Sequence, residues 1–378
     1  MTIETLQLVE TYREEISHVS LDWALGLPSG SVESVVIHAL MRRPGQGPLL
    51  CGEIFPKLTS VPPGWTGEAI IDPDKPSDNV RLIGAEIAAA GLPTGNFAFL
   101  QSYCALSDGF LIIGGPDKIG FCPADGGTLR RLTVTTPLVG TRRHGLRPVG
   151  RLQSAGNVIP VPMSGGMDYS ALAFLHIDAA RQTADWSTSP KLTKSGILGQ
   201  FFAQYLKSRA VAEDDLLTLR SQDWPDFFMK PEFPDIASAV LTESGPLIFT
   251  RGSQLGSHKL PEIEGVARVD PRGAVTEMLH LDVAPPEGAV PELLNSSASL
   301  SSSGTYLLRW VVPARAPSTS SYECIDLRTG VRRHLPIEQG ARRPHLHDHV
   351  DGCFLVTASH LERDKDRDLA VVEYRVAE

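Results

Sequence analysis

Nothing in this chain is apolar over the length a bilayer demands: no run approaches the roughly 20 consecutive apolar residues of a spanning helix. Its opening, MTIETLQLVETYREE, is acidic where a signal peptide would be basic and then apolar. Cysteine is scarce. The five present have no regular spacing and no CxxC pair, which argues for reduced thiols over a disulfide framework. The positive charge that non-specific nucleic-acid binding requires is also missing, since 35 Lys and Arg stand against 44 Asp and Glu and leave a net charge of -9. No dinucleotide fingerprint is present, and no Ser-His-Asp order can be read. These absences predict a cytoplasmic protein with neither membrane nor nucleic acid as a partner, and they leave its oligomeric state open.

Turns are abundant: the chain holds 34 Gly and 29 Pro. The stretch from Tyr103 to Val134 shows how they are used. Short apolar runs at Leu111–Ile113, Lys118–Cys122 and Leu129–Val134 are separated by Asp108-Gly109, Gly114-Gly115-Pro116 and Asp125-Gly126-Gly127. Such combinations turn the chain because Gly accepts positive φ without a Cβ clash. Residues 101–107 supply a fourth strand, and four strands in up-and-down order make one blade of a β-propeller. The layout recurs at Gly156, Gly245, Gly304 and Gly352, with spacings of 47, 59 and 48 between neighbouring anchors and a gap of 89 between Gly156 and Gly245. A blade cannot bury both faces alone, so a repeat of this length implies a ring of stacked blades.

The expected architecture is therefore all-β: one propeller domain over 1–378, with six blades of four antiparallel strands. Leu6, Val9, Tyr12 and Ile16 fall near helical spacing and predict a short amphipathic helix over residues 3–18. Residues 84–91 predict a brief Ala-rich helix. The long gap predicts a helical insertion at about 190–235, lying over one mouth of the ring as a partial lid. The second and third blades are expected at 97–137 and 146–188, and the last at 343–377. At the level of blade layout alone, this pattern resembles the lactonase and strictosidine-synthase propellers. Cys104 and Cys122 fall in strands and read as buried packing residues.

Three features suggest chemistry. The string MSGGMDYS follows the apolar run Val158–Val161 and resembles the pyrophosphate loop of ATP pyrophosphatases such as the asparagine synthetase family. Ser164, Gly165, Gly166 and Asp168 match that motif, while Tyr169 occupies the place of its second Ser. The flanks follow the blade period instead of a strand–loop–helix pattern, so a hairpin turn is expected and ATP is not. As members of that turn, Ser164, Asp168 and Tyr169 remain candidate substrate contacts.

The second feature is RRPHLHDHVD. His345, His347 and His349 alternate, so on a strand their side chains share one face. They are candidates for general acid/base work or for holding a divalent transition metal. The third is arginine. Arg142, Arg143, Arg342 and Arg343 lie at connections on the expected functional face, and their forked guanidinium groups suit an anionic ligand. Together these features describe a propeller that binds a small anionic molecule at its channel mouth and acts on it by hydrolysis or elimination. The alternative is a protein-interaction scaffold without catalysis.

Overall fold

The computed structural model describes residues 8–74, 80–94, 101–138, 147–148, 152–165, 169–187, 235–251, 265–269, 275–280, 298–301, 303–311, 321–336, 341–347, 353–360 and 369–376. Strand β1 (Leu8–Ile16) comes first, then helix α1 (His18–Ala24), whose first turn is capped by Ser17 accepting the Val19 amide at 3.1 Å. The first sheet holds β2 (Val32–Arg43), β3 (Gln46–Pro56), β4 (Glu68–Ile71) and β5 (Val80–Leu82), followed by helix α2 (Gly84–Ala89). The second sheet is β6 (Ser102–Ala105), β7 (Gly109–Gly115), β8 (Lys118–Pro123) and β9 (Arg130–Arg131).

In the third sheet, β10 (Thr133–Thr136), β11 (Arg147–Pro148), β12 (Val158–Gly165), β13 (Tyr169–Asp178) and β14 (Thr183–Ser187) lie in the order β10-β14-β13-β12-β11. The fourth sheet is β15 (Asp235–Thr242), β16 (Gly245–Arg251), β17 (Gly265–Val269) and β18 (Val275–His280). The fifth is β19 (Ala298–Leu300), β20 (Tyr306–Val311), β21 (Ser321–Asp326) and β22 (Arg332–Pro336). The last sheet joins β23 (Ala341–His347), β24 (Cys353–His360) and β25 (Leu369–Val376) to β1, in the order β1-β25-β24-β23.

This is a β-propeller, as the repeat predicted, but not one of six uniform blades. Five blades have four strands; the third sheet has five. The extra strand is β10, which leaves the second sheet and runs parallel along the outer edge of the third, pairing Thr133 with Thr183 and Val134 with Ala184. The boundary expected at residue 137 therefore falls after β9. In each remaining sheet the first strand of the repeat lies innermost, so that β2 neighbours β6 and β23, and β15 neighbours β19.

The predicted helix over residues 3–18 is not there. In its place β1 pairs antiparallel with β25, from Leu8↔Val376 to Ile16↔Leu369. A bulge between Glu10 and Tyr12 explains the false signal. It inserts Thr11, so Val9, Tyr12, Glu14 and Ile16 face the same side although the first step is three residues. That step of three followed by a net step of four from Tyr12 to Ile16 imitates a helix. Open strand edges attract a partner because their N–H and C=O groups are unpaired, and β25 would present such an edge without β1. Helix α2 does form where the Ala-rich stretch predicted it. The expected insertion at 190–235 lies outside the described residues, apart from Asp235 at the start of β15.

The apolar side chains pack between sheets. Leu40, Leu50 and Ile71 of the first sheet meet Ile16, Leu369 and Val371 of the last. Met41, Cys51 and Ile70 meet Phe110, Ile112 and Cys122 of the second. The repeated glycine serves two different needs. At Gly304 it supplies a φ of +71°, and an added Cβ would also press on Leu247 and Thr242 of the preceding sheet at 2.6 Å. At Gly109 a Cβ would stand 2.3 Å from the Cys122 carbonyl, so close approach is what excludes a side chain there. Among the described residues Cys51, Cys104, Cys122 and Cys324 are buried and form no disulfide. No described helix is long and apolar enough to cross a membrane.

One polar tie joins the first two sheets. Glu86 of α2 pairs with Arg81 at 2.8 Å and accepts the Leu129 amide at 2.6 Å. Burial alone would raise the Glu86 carboxyl, but the Leu129 amide and the Arg81 guanidinium outweigh it and hold the group below its ordinary value of 4.5. A depressed carboxyl contributes stability above the unfolded-state value and loses it as pH falls through the folded-state value. Wild type should therefore melt above Glu86→Gln at neutral pH, and the gap should close in acid below about pH 4. Thermal unfolding of both proteins across this range measures it; a gap that stays constant in acid would refute the assignment.

Candidate functional site

Three strands of the first sheet have mostly apolar segments, SVVIHALM, LLCGEIF and EAII, yet each segment carries one His or Glu. On β2 that residue is His38. The register with β3 slips between Ile37↔Gly52 and Ala39↔Cys51, so His38 is the extra residue of a bulge on an innermost strand. Bulges re-aim side chains and recur beside active sites. Here the imidazole is turned toward the second sheet, where it stacks on Tyr103 of β6 with centroids 4.5 Å apart and planes 9° from parallel.

Two carboxylates stand beside it. Glu53 of β3 and Glu68 of β4 are directly opposed across the strand pair. Like charges in that relation are unfavourable. His38 Nε2 approaches Glu53 Oε2 at 3.8 Å, which offsets part of the repulsion whenever the ring is protonated. That nitrogen has no hydrogen-bond partner among the described residues. Glu68 is fully buried, whereas His38 keeps 26% of its side chain accessible, although its Nε2 is buried. Burial, helped by Cys51, Glu68 and Glu53, pushes the Tyr103 hydroxyl far above its ordinary value, so it stays protonated and donates to Gln101 Oε1. Burial, then Cys122 and Glu68, likewise keeps the Cys51 thiol protonated, which leaves it inert as a nucleophile. The arrangement offers a plane-locked imidazole with a carboxylate behind it, the orientation that general acid/base chemistry requires.

A second polar cluster lies further round the ring. Gln153 Nε2 donates to Ser299 Oγ at 2.6 Å and to the Leu300 carbonyl at 2.8 Å, and the Leu300 amide donates to Ser238 Oγ at 3.2 Å. The third, fourth and fifth sheets are thus linked along their inner ends. Ser299 on β19 and Ser301 just after it are both buried.

Of the residues singled out from sequence, His345 and His347 lie on β23, an innermost strand next to β2, at alternating positions paired with Thr357 and Leu355. Arg342 is on the same strand, paired with Ser359, and a bulge separates it from His345. Arg343 also lies within β23. For these four the backbone placement is described. Ser164 and Tyr169 lie at the ends of β12 and β13, where Ser164 pairs with Ser170 and Gly165 with Tyr169. The strands that flank the SGGxD string are thus antiparallel neighbours, as the blade period predicted, while Gly166 lies outside the described residues. His349, Arg142, Arg143 and Asp168 lie outside the described residues. Sequence reading missed His38, Glu53 and Glu68; the signal available was one His or Glu in each of three successive apolar segments. Among the residues whose side chains are described, no cluster of three or more His, Cys, Asp or Glu is arranged to hold a metal ion.

No protein-family model matches the chain, and no curated protein matches it significantly. Solved structures do. A protein of unknown function from Dyadobacter fermentans aligns with a TM-score of 0.54 at 10% identity, over 98% of this chain and 99% of that one. The β-propeller domain of Cps50 (Swd1) from Myceliophteria thermophila aligns with a TM-score of 0.40 at 12% identity, over 95% and 99%. The β-propeller domain of the trilobed protease from Pyrococcus furiosus aligns with a TM-score of 0.38 at 9% identity, over 92% and 84%. Similarity at such identity concerns the fold and is silent about activity.

Proposed function

We propose that this propeller binds a small molecule against its innermost strands and turns it over by general acid/base chemistry. The observation that carries the reading is His38: a bulged histidine on an innermost strand, stacked on Tyr103, with its buried Nε2 toward the Glu53 carboxylate and part of its side chain exposed. β23, which carries His345 and His347, runs beside β2. In this proposal His345, His347 and His349 add acid/base groups or hold a divalent transition metal, and Arg142, Arg143, Arg342 and Arg343 draw in an anionic substrate. Ser164, Asp168 and Tyr169 contribute contacts from the second-to-third strand turn. Hydrolysis or elimination are the reaction classes these groups serve.

A panel of lactones, carboxylic esters and phosphate monoesters tests the proposal. His38→Gln should lower kcat/KM on any accepted substrate by about 10²–10⁴-fold, the usual share of a general acid/base, while the melting temperature stays near wild type. His347→Ala should behave similarly, and metal analysis of untagged protein reads whether coordination is involved. The scaffold reading has an observation of its own: Trp23 and Leu58 are 67% and 91% exposed, and Val19 and Phe55 are exposed as well. It takes the lead if His38→Gln and His347→Ala leave every activity unchanged.

A further inference from the structure

A cleft of about 690 Å³ opens where the last sheet meets the first, lined by Tyr12, Arg42, Arg43, Gln46, Asp74 and Glu373 among others. Its volume is within the roughly 300–1,000 Å³ typical of small-molecule sites. Consecutive residues of a regular strand point to opposite faces, yet both arginines line this one cavity. The register slips between Met41↔Leu49 and Arg43↔Gln46, so Gly47 and Pro48 of β3 stand opposite the single residue Arg42, a bulge on β3 that distorts this end of the pair.

The two arginines are held differently. Arg43 is fully engaged: its two terminal nitrogens meet the Asp72 carboxylate at 2.8 Å each, and its Nε donates to the Gly47 carbonyl at 2.9 Å. Arg42 uses one terminal nitrogen, on Glu373. Its other N–H groups, of the five a guanidinium carries, meet no acceptor among the described residues. The acceptors in the cleft, by contrast, are well supplied. Asp74 receives the Gly47 amide at 2.9 Å and the Tyr12 hydroxyl at 3.3 Å, and Glu373 receives Thr11 Oγ1 at 2.9 Å. What is left unmet is therefore a forked cationic donor, in a cleft lined by Asp74 and Glu373 beside the two arginines, with a third carboxylate, Asp72, paired to Arg43 behind that lining.

We propose that this cleft binds a small zwitterion, an amino acid or short peptide, through its carboxylate on the free edge of Arg42. A guanidinium fork matches a carboxylate with two parallel bonds. The surplus of carboxylates in and behind the wall repels a multiply charged anion such as phosphate but favours a ligand that brings an ammonium group of its own. Such a ligand touches β1 through Tyr12, β25 through Glu373 and the β2–β3 turn through Arg42 and Gln46. It would bind the ring only when β1 is docked, and so hold the seam shut by mass action.

The experiment uses the full chain and the dipeptide Gly-Tyr, with inorganic phosphate and tyramine as controls, and reads amide hydrogen exchange in residues 8–16. At a concentration about ten times its Kd, Gly-Tyr should slow exchange in β1 about tenfold, while phosphate and tyramine leave it unchanged. Arg42→Lys keeps a cation for Glu373 but lacks the fork, and should lose most of the slowing without opening the seam. Arg42→Gln should lose all of it. The proposal is overturned if Gly-Tyr at about 10 mM fails to slow exchange, if phosphate or tyramine slows it as much, or if Arg42→Lys protects as well as wild type.

Discussion

A chain lacking residues 1–16 should fail to close its ring. The deletion removes the outer strand of the last sheet and uncovers the whole edge of β25, from Leu369 to Val376. It also removes Ile16, fully buried against Leu369 and Val371. Burying a side chain of that size is worth about 1.5–3 kcal/mol, and the pairing of eight register partners is lost with it. A typical domain has only about 5–15 kcal/mol in total. The truncated protein should elute as aggregate and show no cooperative thermal transition, because an uncovered apolar edge recruits other chains. A synthetic peptide of residues 1–17 supplied in trans should restore the transition by adding back the missing strand. A truncated protein that melts within a few degrees of wild type would show that the seam is not closed by β1.

Asp22→Ala should be among the most damaging single substitutions in the chain. Asp22 sits in α1 with 1% of its surface exposed, and its carboxylate accepts the amides of Gly30 at 2.6 Å, Ser31 at 3.3 Å and Val32 at 2.7 Å. These bonds shape the loop that delivers the chain from the outer edge of the last sheet to the innermost strand of the first. Gly30 is at the surface and can turn to water, and the Ser31 amide keeps the Pro28 carbonyl at 3.1 Å; the buried Val32 amide is the one left stranded. An orphaned buried amide costs about 1–3 kcal/mol, so a loss of about 2–3 kcal/mol is expected in chemical denaturation. Asp22→Asn keeps one acceptor oxygen and should fall between the two. A loss within about 0.5 kcal/mol, the range of an ordinary surface change, would mean the loop finds other acceptors.

The fold was legible because its punctuation is local. Gly156, Gly245 and Gly304 all take positive φ, and a turn that demands glycine leaves its mark at the same point of each of these units. What could not be read was decided between segments distant in sequence. β1 pairs with a strand more than 350 residues away, and the Thr11 bulge disguised its period. β10 reads like the end of the second blade and becomes a strand only through Thr183 and Ala184 of the next. The site divides the same way. The alternation of His345 and His347 is visible in any strand, whereas His38 acquires its importance from a bulge and from Tyr103, neither of which apolar patterning reveals. The Arg42-Arg43 pair is visible in the sequence, but nothing there shows that both side chains line one cavity.

The strand β10 has a consequence for how such a ring can change over time. Repeat proteins lengthen or shorten by copying or losing whole units, which requires that a unit be separable at its ends. Here the apolar cluster that contains Leu111 and Phe121 of the second sheet also contains Ile159 and Trp186 of the third, and Thr136 reaches Asp185 at 3.2 Å. Excising the second four-stranded unit together with the segment that follows it would strip the outer edge of its neighbour. Duplicating it would produce two copies of β10 for one edge of β14. The second and third sheets are therefore inherited as a pair, and a change in the number of repeats is confined to the other junctions of the ring.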